Sequence, residues 1–115
     1  MHHKPQYMQN YNLPAVNFDN TFEGVEFILP SNAIYDLTHA VVKLQVRQNP
    51  STQLIHEFST PTHLLITLSY TITFLPQLIS IPAGTYKWDL KIFFQNGREK
   101  TYIGGTWTIN PVITR

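Results

Sequence analysis

The sequence predicts an all-β fold, specifically an immunoglobulin-like antiparallel β-sandwich of about seven strands. Apolar and polar side chains alternate with a period of two along most of the chain, as in strands that are buried on one face. Clusters of Gly, Pro, Asn and Ser interrupt this alternation at about every 8–12 residues, which is typical of sandwiches. The length of 115 residues suits one domain with a single core.

Each predicted strand lies between two such turn signals. Residues 40–47 have the cleanest pattern, with Val42, Leu44 and Val46 opposing polar neighbours. Residues 64–74 form either one long strand or two strands joined near residues 69–70. The predicted strands are, in order, residues 21–29, 40–47, 53–60, 64–74, 84–94 and 100–109.

Several Gly and Pro positions predict local departures from regular strands. Gly24 and the pair Gly104-Gly105 favour β-bulges. Asn96-Gly97 suits a type I′ hairpin turn, which requires positive φ angles at both central residues. Residues 76–82 are the one segment with room for a single helical turn.

The chain divides into an extended N-terminal arm, residues 1–15, and the sandwich domain, residues 16–115. The arm is rich in Gln, Asn, Tyr and Pro and has no regular apolar face of its own. We expect Tyr7, Tyr11 and Pro14 to contact partners and to become ordered only within an assembly.

Composition limits the classes of partner. Charged residues make up 13% of the chain, below the ~25% of typical soluble domains, while 43% are hydrophobic, which favours a surface that meets other proteins. Eight basic residues are nearly balanced by seven acidic ones, which argues against binding to nucleic acid. The chain has no Cys, no apolar run of about 20 residues and no apolar signal core, so we expect no membrane association and synthesis in the cytoplasm.

Catalytic and metal-binding patterns are not found in the sequence. His56 and Glu57 are adjacent in a predicted strand and therefore point to opposite faces, while His39 and His63 lie in turn regions. No HExxH, GxxxxGK[ST], GxGxxG or GxSxG motif is present. We therefore expect a protein that is not an enzyme and holds no metal and no cofactor.

The aromatic residues separate into core and surface candidates. Trp88 shares its strand face with Tyr86 and Leu90, which predicts core packing rather than ligand stacking. Phe93 falls on the polar side of the same strand, where an exposed aromatic ring often marks a contact surface. We expect Phe93 to lie at an interface.

The order of motifs resembles small β-sandwich structural proteins of tailed bacteriophages, especially the N-terminal domain of baseplate upper proteins. The resemblance covers about residues 16–115, although the family usually has Tyr in place of Trp88. The motifs that carry it are Asp36-Leu37-Thr38, Leu44-Gln45-Val46-Arg47, Pro82-Ala83-Gly84-Thr85-Tyr86-Lys87-Trp88-Asp89-Leu90, Gly104-Gly105-Thr106-Trp107-Thr108-Ile109 and the closing Thr114-Arg115.

The resemblance implies a virion structural protein located in the tail, baseplate or neck, made in the cytoplasm of a host bacterium. Its partners would be other virion proteins and copies of itself in a symmetric ring or array. Two alternatives stay open, a capsid decoration protein and a carbohydrate-binding module that contacts the host surface. A hydrolase or nuclease would need an acid, base or metal set that the sequence does not supply.

Overall fold

The fold is described for residues 9–29, 37, 39–48, 53–68 and 71–111 of a computed structural model. Within these residues the protein is all-β, with eleven strands and no helix. The strands are β1 (Gln9–Asn10), β2 (Leu13–Asn17), β3 (Thr21–Phe22), β4 (Val25–Ile28), β5 (Val41–Gln48), β6 (Leu54–Ser59), β7 (Leu64–Leu68), β8 (Thr71–Phe74), β9 (Gln77–Leu78), β10 (Gly84–Phe93) and β11 (Glu99–Asn110).

The large sheet is built around the β10–β11 hairpin. Its strand order is β1-β11-β10-β5-β6, and β2 pairs with β11 beside β1. The pairs β10–β11, β10–β5 and β5–β6 are antiparallel, as predicted. However, β1 and β2 run parallel to β11, so the sheet is mixed rather than purely antiparallel.

Two smaller sheets, β4-β8-β7 and β3-β9, pack against the large sheet. The rings of Phe22 in β3 and Phe74 in β8 lie 5.4 Å and 6.0 Å from the ring of Trp107 in β11. Phe27 in β4 lies 5.6 Å from Trp88 in β10. The sheets therefore share one apolar core between facing layers, an arrangement compatible with a β-sandwich.

The structure has more strands than the pattern predicts, and Gly24 explains one of the differences. Gly24 has a φ angle of 95°, and a side chain there would lie 2.9 Å from the carbonyl oxygen of Phe74. The chain bends at this point, so residues 21–29 contribute two strands to two different sheets. Residues 64–74 likewise form two antiparallel strands, the second of the two arrangements left open by the sequence.

Three local predictions are wrong. Gln77–Leu78 is a strand paired with β3 and not a helical turn. The irregularity between β10 and β11 falls at Tyr102, since Leu90 pairs with Ile103 and Lys91 with Thr101, and not at Gly104-Gly105. In the hairpin loop Gly97 alone has a positive φ, 91°, so the turn lacks the second positive φ that type I′ requires.

Candidate functional site

Tyr11 is held against the large sheet by backbone hydrogen bonds. Its N–H donates to the carbonyl of Gly104 at 2.8 Å, and its own carbonyl accepts the indole N–H of Trp88 at 3.0 Å. A side chain on Gly105 would lie 2.2 Å from the Tyr11 carbonyl oxygen, so the close approach requires glycine. Tyr11 is 38% exposed.

Pro14 is tied down in the same way. Its carbonyl accepts the indole N–H of Trp107 at 2.9 Å, within β2. The structure thus pairs β1 and β2 with β11 of the large sheet, where the sequence suggested an arm ordered only in an assembly, and the expected boundary after residue 15 falls inside β2. The physical reason is that two core indoles need acceptors, which this segment supplies. Tyr7 lies outside the described residues.

Phe93 lies on the outer face of the large sheet and is half-buried rather than fully exposed. The ammonium group of Lys43 is 5.3 Å from the centre of its ring, a cation–π contact. Phe93 pairs with Val41 on the neighbouring strand, and Val41 is exposed. The two residues form a small apolar area at one end of this face.

A row of polar groups continues across the outer face from Phe93. Glu57 accepts the side-chain amide of Gln45 at 2.7 Å and lies 3.7 Å from the ammonium of Lys43. Gln45 in turn accepts the guanidinium of Arg47 at 2.8 Å. These contacts connect the side chains of β5 and β6 into one polar network.

Asp89 occupies the middle of the same face, opposite Gln45 and Gly104 on the flanking strands. One of its carboxylate oxygens, Oδ1, is buried and has no hydrogen-bond partner among the described residues. Burial raises the pKa of Asp89, and the charges of Lys91 and Arg47 partly oppose that rise. The carboxylate is therefore incompletely solvated in the isolated chain.

The outer face of the β4-β8-β7 sheet is different in character. Ile28 is 70% exposed and Leu65 is 37% exposed, although both lie in regular strands. Between them stand Thr71 and Thr73, and the hydroxyls of Thr67 and Thr73 are 3.3 Å apart. On this surface, which we call the threonine face, Glu26 is the only charged side chain contributed by the three strands.

The threonine face was not predicted from the sequence, although a signal for it was present. Ile28 lies on the polar side of its strand, next to Glu26, by the same criterion that singled out Phe93. Residues 60–83 also contain no Lys, Arg, Asp or Glu. An uncharged strand pair with an outward aliphatic residue is the pattern that marks this face.

A cleft of about 220 Å³ opens beside β4, where this strand has no partner on one side among the described residues. Its walls are Tyr11, Glu26, Phe27, Ile28, Tyr102 and Ile103. The hydroxyl of Tyr102 donates to the carbonyl of Ile28 at 3.2 Å and so bridges the two sheets. The cleft combines two tyrosines with one carboxylate.

Two histidines flank Phe58 at the β6–β7 end of the core. The rings of His56 and His63 lie 4.5 Å and 5.4 Å from the Phe58 ring. Burial lowers the pKa of His56, and the nearby His63 lowers it further. The Nδ1 atom of His63 is buried and has no hydrogen-bond partner among the described residues.

Within the described ranges no three His, Asp or Glu side chains lie close enough together to hold a metal ion. The same part of the chain contains no helix able to span a membrane. Comparisons with protein-family models, curated proteins and solved structures find no significant match.

Proposed function

We propose that this chain is a structural protein of a tailed-bacteriophage virion, a non-enzymatic adaptor of the tail, baseplate or neck. It would join a symmetric core to neighbouring subunits or fibres through its sheet faces, within an immunoglobulin-like sandwich topology. The motifs in residues 36–47, 82–90 and 104–109 support the phage assignment by resemblance.

The observation that carries the binding role is the exposure of Ile28. Ile28 lies in a regular strand with 70% of its surface in solvent, so its side chain adds no stability to the monomer. Leu65 and the threonines beside it extend the same surface with few charges, which is the composition of the centre of a protein–protein interface. This surface favours a protein partner.

The carbohydrate-binding alternative now depends on the cleft and not on tryptophan. A sugar platform needs exposed aromatic rings, whereas Trp88 and Trp107 are 2% and 0% exposed and donate hydrogen bonds inside the domain. Tyr11 and Tyr102, with Glu26, are the aromatic and polar groups that a sugar ring would meet. The volume of about 220 Å³ is below the ~300–1,000 Å³ of typical small-molecule sites, so the structural role is favoured.

Quantitative mass spectrometry of purified particles from the source phage tests the proposal. A copy number equal to a small multiple of the tail symmetry supports an adaptor in a ring. A copy number on the order of hundreds would instead indicate capsid decoration, the arrangement of a surface array. Absence from particles would overturn the virion role, and calorimetric titration with host-surface glycans, using Tyr102→Ala as the control, would then test the cleft.

A further inference from the structure

The charges of the described residues are divided between the two sides of the core. All six cations lie on the large sheet or its hairpin loop, together with three carboxylates, which leaves a net charge of +3 on that side. The cations are Lys43, Arg47, Lys87, Lys91, Arg98 and Lys100, and the carboxylates are Glu57, Asp89 and Glu99.

The opposite side of the core carries only negative charge among the described residues. Asp19, Glu23 and Glu26 precede or belong to the small sheets, and all three are exposed. Because residues 60–83 have neither acidic residues nor Lys or Arg, this side has a net charge of −3 with no described Lys or Arg to balance it. A nearly neutral chain is thus strongly polarised.

This division decides which pairs of faces can meet. Two copies that met through the same face, as in a two-fold dimer, would place like charges against each other. Contact between the large-sheet face of one copy and the threonine face of the next pairs opposite charges instead. That contact also covers Ile28 and Leu65 on one copy, and Val41 with the half-buried Phe93 on the other.

We propose that copies of this chain associate head to tail, the outer face of the large sheet of one copy binding the threonine face of the next. The inference rests on the proposed function and deepens it by naming the partner, a second copy, and the surfaces. Head-to-tail contacts are heterologous, so repeated use of one contact generates a ring when the rotation closes and a filament when it does not. Glu26 beside Ile28, and Lys87 with Lys91, are the charged groups that set the orientation.

Sedimentation of the full chain at two salt concentrations tests the association. At about 0.01 M salt, where the Debye length is about 30 Å, we expect the weight-average mass to rise at least about twofold with protein concentration. At about 1 M salt, where the Debye length is about 3 Å, we expect that mass to fall. A chain that stays monomeric at low salt would overturn the inference.

Charge-reversed variants test whether the contact joins the large-sheet face of one copy to the threonine face of the next. The Glu23→Lys/Glu26→Lys variant has two positive sides, and the Lys87→Glu/Lys91→Glu variant has two negative sides, so neither should associate alone. An equal mixture of the two should regain association, which also shows that both variants fold. The Arg98→Glu/Lys100→Glu variant makes the same charge change at the hairpin end but keeps Lys43, Arg47, Lys87 and Lys91 on the outer face of the large sheet, so it should still associate.

A mixture that fails to associate, although each variant keeps the thermal transition of the unaltered chain, would overturn the head-to-tail contact. The test is separable from that of the proposed function. A monomeric chain that is nevertheless found in particles removes the self-association and leaves the virion role. A chain that associates but is absent from particles removes the virion role alone.

Discussion

The indole N–H of Trp88 donates to the backbone carbonyl of Tyr11 at 3.0 Å, joining residues 77 positions apart. The same tyrosine ring lies edge-on to both Trp88 and Phe27, at 6.4 Å from each. This contact closes the edge of the core with an N-terminal segment that has little aliphatic content of its own. The segment is therefore part of the domain in the isolated chain.

The Tyr11–Asn12 bond should resist chymotrypsin in the isolated native protein. Cleavage requires local opening, and the Tyr11 backbone is bonded on both sides to the large sheet. Trp88→Phe removes one of these bonds, worth about 1 kcal/mol, and should accelerate cleavage at this bond by roughly fivefold. Limited proteolysis with mass spectrometry measures the rate.

Tyr86→Phe is the matched control for this experiment, since it removes a hydrogen bond from Tyr86 to the carbonyl of Pro82 and leaves the N-terminal segment untouched. It should not change cleavage after Tyr11. Rapid cleavage at this position in the unaltered chain, at the rate of the urea-unfolded protein, would show that the segment is a free arm, as the sequence suggests.

Gly105→Ala should destabilise the domain by about 1–3 kcal/mol, the usual cost of overpacking. The added methyl group would lie 2.2 Å from the Tyr11 carbonyl oxygen, so either the N-terminal segment or β11 must move. Urea unfolding followed by tryptophan fluorescence measures the change. Gly97→Asn is the control, since Gly97 has open space around it and Asn tolerates its positive φ; an equal loss in both variants would contradict the role of the close approach.

The period-two pattern predicted the all-β class and much of the core. In a strand with one buried face, buried and exposed positions alternate, and apolar and polar residues alternate with them. Val42, Leu44 and Val46 are all buried as the alternation indicated. The two-residue strands β1, β3 and β9 were not predictable, since two residues carry no periodicity. Their pairing depends on distant partners such as Gly104, which bonds to Tyr11.

Surface properties were harder to predict than the core. Phe93 was expected to be exposed from its strand parity, yet the ammonium of Lys43 covers part of its ring, and that contact depends on the register between β5 and β10. The division of charge between the sheets also needs topology, because it requires knowing which strands share a layer. Strand parity assigns a side chain to a face but does not identify the neighbouring strand.

Asp89→Asn should leave the domain slightly more stable at neutral pH. Burial raises the pKa of Asp89 above its ordinary 3.8, so the native state disfavours the ionised form. The stability this group contributes is present below pH 3.8 and is lost as the pH rises through the higher native pKa. Because the side chain is only half-buried and screened, we expect a gain of less than about 1 kcal/mol.

Urea unfolding at several pH values measures this effect, and the gain from Asp89→Asn should shrink towards zero below pH 3.8. Glu57→Gln is the matched control, because Glu57 accepts from Gln45 and pairs with Lys43, so its neutralisation should not stabilise the domain. A loss of stability in Asp89→Asn at neutral pH would show that the carboxylate is well solvated or paired.

His56 should make the domain less stable as the pH falls below 6.5. Burial and the neighbouring His63 lower the pKa of His56 in the native state, so the unfolded chain takes up its proton first. The stability that this group contributes is fully present above pH 6.5 and is lost as the pH falls towards the lower native pKa.

In His56→Gln this part of the pH dependence should disappear, as measured by the midpoint of thermal unfolding between about pH 7 and 5. His39→Gln, which replaces a histidine in a turn away from Phe58, should keep the decline. Parallel pH profiles for the unaltered chain and His56→Gln would mean that the imidazole beside Phe58 remains as well hydrated in the fold as in the unfolded chain.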